Sequence, residues 1–559
     1  MTNNHTKKGR PDGLEAVYEY HNRTKHQFHQ YARSVGYMDW DNQPDPFRRY
    51  DQTLTLPLDH PSPTGFPTYD SLFNVKKGPV ASVNRDSISR LFYESLAISA
   101  WKKAGGNSWS LRVNPSSGDL HPTEAYLMMG PIEDLHEGAA LYHYSAYQHA
   151  LERRLVLTRK AWDIVSRDLP TGTMLLAFTS IYWRESWKYG ERAFRYCHHD
   201  VGHAIGTITL ASAALGWTTR LINSISYDDL ETLLGLHLQD GIEAEHPDCL
   251  LAIYPADQSV SGKGPQPNLP CSLLEELRAA QFEGNPNILS SHHHDWPIID
   301  AVAKVCRCES RQLSSEKQNP NIEIPNTNVI NKDRQISART IIRQRRSATE
   351  MDGSIRISKE TFFQMMAHVV PHPSNTITQV LAWQPRVSLA LFIHRVEDLY
   401  PGLYLLVRDP GHERSLRKTL REDFRWEKPE DCPESLGLYL LNITDTRETA
   451  RIICCHQNIA ADGVFAVAMM AEFDAALKHY GSSFYPRLFW ETGLIGQILY
   501  LEAEAAGIRS TGIGCFFDDA MHEVLGIHDH TWQSLYHFTV GGPVDDARLQ
   551  TLPSYWHLK

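Results

Sequence analysis

The chain has 559 residues, of which 42% are hydrophobic and 22% charged, and its formal net charge at pH 7 is −11. This composition is typical of a globular protein, and the length predicts more than one domain. The acidic balance argues against general nucleic-acid binding, which requires a broad positive surface.

The N-terminus reads MTNNHTKKGRPDG and has no apolar segment, and no apolar run in the chain is long enough to cross a bilayer. We therefore expect neither a signal peptide nor a membrane span. The nine cysteines include no C-x-x-C pair, which favours reduced thiols in a cytoplasmic protein.

The chain divides into four segments. Residues 1–75 form an N-terminal extension rich in His, Tyr, Arg and Pro, to which no function is assigned. Residues 76–260 form a first domain, residues 261–338 a connecting segment, and residues 339–559 a second domain. Within the connecting segment, residues 306–335 are polar, contain Asn and Pro and lack periodicity, which predicts a mobile linker.

In the first domain, TMLLAFTSIYW (173–183) and CLLAIYP (249–255) are apolar runs that predict buried strands. Residues 200–217 have apolar side chains at helical spacing, and Gly216 suits a C-terminal cap. The mixture of strands and helices predicts an α+β domain.

In the second domain, RIICC (451–455) and YHFTVGGP (536–543) predict buried strands. Residues 456–481 predict a loop followed by an amphipathic helix. Cys454 and Cys455 are interpreted as core thiols at the end of the first of these strands.

The two domains repeat each other. Three stretches recur in the same order: 132–142 resembles 396–406, 200–217 resembles 491–508, and 227–236 resembles 517–527. The interval from Gly202 to Gly216 equals that from Gly493 to Gly507. The second copy is longer between the first two matches, and we assign its additional residues to 456–481. The pattern indicates a duplicated subunit.

The second domain carries two features that the first lacks. In RQRRS (343–347), Arg345 and Arg346 offer fork-shaped donors and Ser347 a hydroxyl, ahead of a helix-like stretch whose N-terminus would add amide donors. This predicts a phosphate site, and a solvated surface cluster is the alternative. In STGIGCFF (510–517), Gly512 and Gly514 flank Ile513 and leave room for backbone to approach a flat ligand.

The first domain has the complementary feature. RVNPSSGDLHPTEAY (112–126) predicts a tight polar loop that can hydrogen-bond the edge of a polar ring, with an ordinary turn as the alternative. Its candidate contact residues are Asn114, Pro115, Ser116, Ser117 and Gly118. The matching region, LAWQPRVSLAL (381–391), has lost the Pro-Ser-Ser-Gly sequence. Because each half holds what the other lacks, we expect one ligand site between them.

His199 and His203 lie four residues apart, with Asp200 between them, and could form a metal-binding face of a helix. The repeat has Trp490 and Leu494 at the matching positions, and no glutamate lies between the histidines. A structural or substrate-side role is therefore preferred, and no metal is predicted.

These residues resemble the motifs of the FMN-dependent nitroreductase superfamily, and specifically its SagB/ThcOx-type dehydrogenase branch. The resemblance implies two tandem nitroreductase-like α/β sandwich domains that form an intramolecular pseudo-dimer around FMN. It also implies that Arg345, Arg346 and Ser347 hold the phosphate, while Pro115, Ser116 and Ser117 border the flavin ring. GIGCFFDD (512–519) and GGPVDDARL (541–549) also resemble family segments, which makes Arg548 a candidate second phosphate or ribityl contact.

WKYGERAFRY (187–196) resembles the Lys-Tyr segment of the azoline-oxidising members of this branch. The resemblance implies that Lys188 and Tyr189 act as acid and base in oxidising thiazoline or oxazoline rings to thiazole or oxazole in a peptide or small natural product. Oxygen would reoxidise the flavin, and a cyclodehydratase would be a partner.

Three alternatives stay open. Lys188 could be a surface lysine beside a half-buried tyrosine. The protein could be an NAD(P)H-dependent nitro- or quinone reductase that uses the same flavin. It could also be a flavin-free scaffold or maturation partner in a biosynthetic assembly. A monomer with an internal pseudo-dimer and a homodimer are both compatible with the sequence.

Overall fold

The structure is a computed structural model that describes residues 13–73, 79–258, 264–308 and 334–558. Its helices are α1 Gly13–Arg23, α2 Arg85–Tyr93, α3 Arg159–Val165, α4 Tyr182–Tyr189, α5 Ala193–Ala214, α6 Tyr227–Leu234, α7 Cys271–Arg278, α8 Pro297–Cys306, α9 Ala338–Gln344, α10 Lys359–Val369, α11 Glu413–Thr419, α12 Arg447–Ile453, α13 Ile459–Asp462, α14 Phe473–Tyr480, α15 Tyr485–Ala505 and α16 Asp518–Leu525.

The strands are β1 Tyr50–Asp51, β2 Thr55–Pro57, β3 Ile98–Ala104, β4 Asn107–Arg112, β5 Thr123–Met129, β6 Ala139–Ser145, β7 Ala150–Leu157, β8 Met174–Ser180, β9 Trp217–Ile222, β10 His246–Pro255, β11 Asn285–Pro286, β12 Val387–Ile393, β13 Gly402–Leu406, β14 Leu438–Ile443, β15 Phe465–Glu472, β16 Arg509–Ile513, β17 Trp532–Gly541 and β18 Gln550–Leu552. None of the helices in these ranges has the length and apolar character needed to cross a bilayer.

Each half of the chain builds one large antiparallel sheet, and two smaller sheets, β1-β11 and β18-β3-β4, accompany them in the described residues. The first sheet has the strand order β2-β7-β6-β5-β8-β10-β9, and the second has β14-β13-β12-β15-β17-β16. Apart from β2, which comes from the N-terminal extension, the two sheets have the same strand order and the same connections. The prediction of two tandem α+β domains is confirmed.

Helix α5 is the longest helix of the first half, and α15 is the longest of the second. The two helices pack against each other at the centre of the molecule. Gly202 and Gly493 meet there, and each allows the opposite backbone to approach. A Cβ on Gly202 would lie 2.4 Å from the carbonyl oxygen of Trp490, and a Cβ on Gly493 would lie 2.3 Å from that of His199. Such reciprocal contact is the signature of a two-fold interface, here within one chain.

The predicted strands at 173–183, 249–255 and 536–543 are confirmed as β8, β10 and β17. The predicted helix at 200–217 lies largely within α5. Gly216 follows its end with a φ of +73°, as a C-terminal cap requires.

Two predictions for the second half were wrong. Residues 451–455 do not form a strand, because Arg447–Ile453 is helix α12 and Cys454 is its cap. A run of four apolar residues is too short for periodicity to separate a strand from a helix. The segment 456–481 holds strand β15, the counterpart of β8, between the short helices α13 and α14. Its Ala- and Met-rich run has a single β-branched residue, Val467, where several usually mark a strand.

The additional residues of the second half lie instead at 407–437, between β13 and β14, and they include α11. The matching connection in the first half, between β6 and β7, spans only 146–149. The insertion thus begins next to α15, since Arg408 donates to Glu491 at 2.5 Å.

The extension and the C-terminus tie the halves together. The side chain of His21 on α1 lies 3.1 Å from Gln533 in the second half. In the other direction, β18 pairs with β3 of the first half, with Leu552 opposite Trp101. Most of the predicted mobile linker, residues 309–333, lies outside the described residues, and its following residue Arg334 pairs with Asp70 at 2.6 Å.

Candidate active site

A cavity of about 800 Å³ lies between the two halves. Its first-half wall is the loop after β4 together with the first turns of α5. Its second-half wall is the segment after α9, strand β16 and the chain that follows β17. Of the predicted site residues, the following line it: Asn114, Pro115, Ser116, Ser117, Gly118, Tyr189, Arg345, Arg346, Ser347, Gly512, Ile513 and Gly514.

The Pro-Ser-Ser-Gly turn is fixed to helix α5. The backbone N–H and the hydroxyl of Ser117 both donate to the Asp200 carboxylate, at 3.1 Å to its Oδ1. Gly118 has a φ of +62°. A Cβ at this position would lie 2.6 Å from the Tyr189 hydroxyl oxygen and 3.0 Å from Lys188 Nζ, so Gly118 makes room for both side chains. The predicted acid–base pair therefore packs against this turn.

Arg345 connects the two halves in the cavity wall. It follows α9, and its guanidinium donates to two first-half carbonyl oxygens, those of Val113 at 3.2 Å and Arg112 at 3.1 Å. Its Nη1 is buried and has no hydrogen-bond partner among the described residues. Burial lowers the pKa of Arg345, which means that its charge is poorly compensated.

Arg346, like Arg345, is a cation whose pKa is lowered mainly by burial. Burial, followed by the charges of Arg345 and Arg343, lowers the pKa of Arg346 to about 9. Its backbone N–H donates to Glu504 at 3.1 Å, while its guanidinium donates to the carbonyl oxygens of Arg343 and Arg345. Three neighbouring guanidinium groups with so little negative charge around them favour a bound anion.

Ser347 and the glycine segment meet at a tyrosine. The Ser347 hydroxyl lies 2.9 Å from the Tyr500 hydroxyl, which also accepts the N–H of Gly512 at 3.0 Å. The predicted helix N-terminus does not contribute here. Helix α10 begins only at Lys359, whereas Thr349 is the last residue of the segment after α9 that lines the cavity. The donors around Ser347 are therefore side chains and loop amides.

Gly512 and Gly514 are also close to two aromatic side chains. A Cβ on Gly512 would lie 1.9 Å from the Tyr536 hydroxyl oxygen, and a Cβ on Gly514 would lie 2.2 Å from the ring of Tyr196. The glycines thus make space for two tyrosines, both of which line the cavity themselves.

Arg548 is not among the residues that line the cavity. Its side chain is 87% exposed and pairs at 2.7 Å with Asp546, which does line the cavity. Three other cations line it, Lys102, Arg112 and Arg509, and none of them was identified as a site residue from the sequence.

Two buried carboxyl groups lie beside the Lys188–Tyr189 pair. Burial raises the pKa of Asp200 to about 7, against the lowering effect of the hydrogen bonds from Ser116 and Ser117. Glu185 is fully buried, and neither of its carboxylate oxygens has a partner in the ranges that the structure covers. Burial raises its pKa well above the usual value. Asp200 can therefore change protonation near neutral pH, as can Asp119 in the same cavity wall, whose pKa burial raises to about 8.

His199 and His203 do not converge on a common point. His199 stacks on Tyr536 with ring centroids 4.1 Å apart, and its Nε2 lies 3.1 Å from the carbonyl oxygen of Leu535. His203 Nε2 lies 3.1 Å from the Tyr536 hydroxyl. The two histidines hold Tyr536 in the cavity wall, in agreement with a structural role.

The description "Nitroreductase family" belongs to a family model that matches residues 94–253 and 421–542 of this chain. A protein of Methanocaldococcus jannaschii that is described as a nitroreductase is 26% identical over 130 residues. That match covers 22% of this chain and 62% of the relative, so the chain spans less than two thirds of the relative's length.

A crystal structure of a protein from Anabaena variabilis, also described as a nitroreductase, matches the whole fold. It covers 95% of this chain and 99% of its own, with a TM-score of 0.67 and 20% sequence identity. The similarity in fold therefore includes both halves of the chain.

Proposed function

The chain belongs to the nitroreductase family, and we propose that it is an FMN-dependent oxidoreductase with a single flavin site built jointly by its two halves. The observation that carries the proposal is the cavity of about 800 Å³ into which the basic segment 345–347 and the turn 115–118 both project. A cavity of this volume is within the range of cofactor and ligand sites.

Two buried polar atoms of this cavity fit FMN. The Arg345 Nη1 has no hydrogen-bond partner within the described part of the chain, and no carboxylate lies within salt-bridge distance of Arg345 or Arg346 there. A phosphate would supply the missing negative charge. The Asn114 Oδ1 also has no partner in the described ranges and can accept a hydrogen bond from the N–H edge of a flavin ring.

When bound, FMN would supply a two-electron acceptor. We propose Arg345, Arg346 and Ser347 as its phosphate ligands and residues 114–118 as contacts of its ring. The tyrosines Tyr196 and Tyr536 line the same cavity and would exclude water from it when the cofactor is bound.

The proposed reaction is the oxidation of a thiazoline or oxazoline ring, which must lose a proton from carbon as well as a hydride. The arrangement that supports this choice is the cluster of proton-transfer groups at Gly118. Lys188 and Tyr189 pack against that turn, and Asp200 accepts both hydrogen bonds from Ser117. We propose that Lys188 or Tyr189 takes the proton. Asp200 would change the charge of the site by gaining or losing a proton of its own.

Flavin content and anaerobic reduction test the proposal. Protein purified from cells should carry FMN in a near one-to-one ratio, and a thiazoline-containing peptide should bleach its visible absorbance without oxygen. The peptide product should have lost two hydrogen atoms by mass. We expect Lys188→Met and Tyr189→Phe to slow this bleaching by about 10²- to 10⁴-fold while leaving the FMN content unchanged.

The other outcomes separate the alternatives. Bleaching by NADPH but not by the thiazoline peptide would identify a nitro- or quinone reductase. Protein that has no affinity for added FMN would refute the cofactor proposal and leave a scaffold role.

A further inference from the structure

Cys455 and Cys515 lie side by side, although sixty positions separate them in the sequence. Their sulfur atoms are 2.8 Å apart. A disulfide bond is about 2.05 Å long, so only a small movement is needed to form one. Both cysteines are partly exposed, and Cys515 lines the cavity between the two halves.

The backbone holds Cys455 in this place at a cost. Cys455 has a φ of +53° and His456 a φ of +60°, a region that residues other than glycine rarely adopt. Such strain persists where the surroundings enforce it. The turn after α12 brings the Cys455 thiol to the chain that follows β16. Its neighbour Cys454 points the other way, with its sulfur 3.5 Å from His537 Nδ1.

The surroundings favour the thiolate form of Cys515 and the protonated form of Cys455. The hydrogen bond with Cys455 lowers the pKa of Cys515, and His26 and Arg192 act in the same direction. The same hydrogen bond, together with burial, raises the pKa of Cys455. Arg192 is fixed beside the pair, since its Nη2 donates to the carbonyl oxygen of Gly514 at 3.2 Å.

We propose that Cys455 and Cys515 form a dithiol site at the cavity wall that reacts with hydroperoxides, with Cys515 as the attacking thiolate and Cys455 as the resolving thiol. Cys515 has access to a small oxidant through the cavity, and Cys455 is already within reach of the oxidised sulfur. A thiolate next to a resolving cysteine is the arrangement that favours reversible oxidation.

The reaction balances with one hydroperoxide. The Cys515 sulfur attacks the terminal oxygen, the O–O bond breaks, and the leaving oxygen departs as water or an alcohol after taking up a proton. The Cys455 sulfur then attacks the sulfenic acid, the S–O bond breaks, and a second molecule of water leaves. The dithiol loses two electrons and two protons to the hydroperoxide, and a thiol reductant restores it.

Hydrogen peroxide added to the reduced full-length protein tests the inference. After treatment with about one equivalent, we expect peptide mapping without reductant to show a single cross-linked product joining Cys455 to Cys515. In Cys455→Ser, Cys515 should instead be trapped by dimedone as a sulfenic acid. In Cys515→Ser, neither product should form.

Two other cysteines provide controls. Cys454→Ser removes the neighbouring buried thiol and should react like the parent protein. Cys271 is exposed and shows no disulfide, so it reports ordinary thiol reactivity. Oxidation of Cys271 or Cys454 before Cys515, or the absence of the 455–515 cross-link in the parent protein, would overturn the inference.

The result does not depend on the proposed function. The same experiment is done with flavin-loaded and flavin-free protein, and the cross-link is expected in both. A protein without affinity for FMN that still forms the cross-link would refute the cofactor proposal alone.

Discussion

Asp200 and Glu491 occupy the same position in the two copies of the repeat, as the first residues of the matching stretches 200–217 and 491–508. Asp200 faces the cavity, receives hydrogen bonds from Ser117, and has a pKa raised by burial to about 7. Glu491 is equally buried, but Arg408 donates to it at 2.5 Å. One copy keeps a carboxyl group that can exchange protons, whereas the other has made it part of a buried ion pair.

The same contrast holds around the cavity. Gly512 in the cavity wall corresponds to Leu221, which is buried and fills that space in the first half. The short helix Thr378–Val380, which stands where the first half has its Pro-Ser-Ser-Gly turn, packs against β9, and Arg220 donates to the carbonyl oxygen of Gln379 at 3.2 Å. After duplication, one of the two equivalent sites was thus filled by packed side chains and backbone. The other stayed open as the cavity between the halves and kept buried charges without partners.

Removing the basic cluster should give the largest effect. We expect Arg345→Ala/Arg346→Ala to weaken FMN binding by about 10²- to 10⁴-fold, because each charge-assisted contact contributes roughly 1.5 to 3 kcal/mol. Titration of flavin fluorescence against protein measures the dissociation constant. Arg548→Ala is the matched control, since that side chain is 87% exposed, and it should change the constant by less than about twofold. Equal losses in the two proteins would contradict the placement of the phosphate.

The ion pair of the second half gives the next effect. Glu491→Gln leaves Arg408 buried without a countercharge and should reduce the free energy of unfolding by about 3 to 5 kcal/mol. Urea denaturation followed by circular dichroism measures it. Asp200→Asn at pH 7 is the control at the matching position, and we expect no comparable loss there because Asp200 has no cationic partner in the described ranges. A similar destabilisation in both variants would remove the distinction between the two sites.

Much of the fold was predictable because the repeat supports each assignment twice. The helix at 200–217 and the strands β8, β10 and β17 are long apolar segments whose patterns are clear. Helix α12 and strand β15 were missed because short apolar runs rich in Ala, Met and Cys have no decisive period. The position of the insertion was wrong for the same reason, since it was assigned to the segment that contains β15.

The candidate site was predictable only as a set of motifs. The complementary losses in the two halves indicated that residues 115–118 and 345–347 belong together, and the structure brings them to one cavity. Asp200, Tyr196 and Tyr536 could not be identified as cavity residues, because their positions depend on how α5 and β17 approach that cavity. Arg548 was selected by its segment alone, and its neighbour Asp546 binds it instead.

A smaller effect is expected from Gly512→Ala. The added Cβ would lie 1.9 Å from the Tyr536 hydroxyl oxygen, so the tyrosine must move into the cavity or the strand must shift. Overpacking of this kind costs about 1 to 3 kcal/mol, and it should also weaken FMN binding. Gly106→Ala is the matched control, because nothing lies within 4 Å of its Cβ position. Thermal melting of both variants measures the difference, and equal melting temperatures would show that the glycine is not required for packing.

The smallest effect is the pH dependence that Asp200 confers on stability. The pKa of Asp200 is about 7 in the folded protein and about 3.9 in an unfolded chain. Between these values the folded state binds the additional proton, so the contribution of Asp200 to stability falls as the pH rises from about 4 to 7 and is constant above that. Asp200→Asn removes this fall. We expect the variant and the parent to melt at similar temperatures at pH 4.5, and the variant to melt a few degrees higher at pH 8. An unchanged difference across this range would mean that Asp200 is ionised throughout, and that the charge adjustment proposed for the site comes from another group.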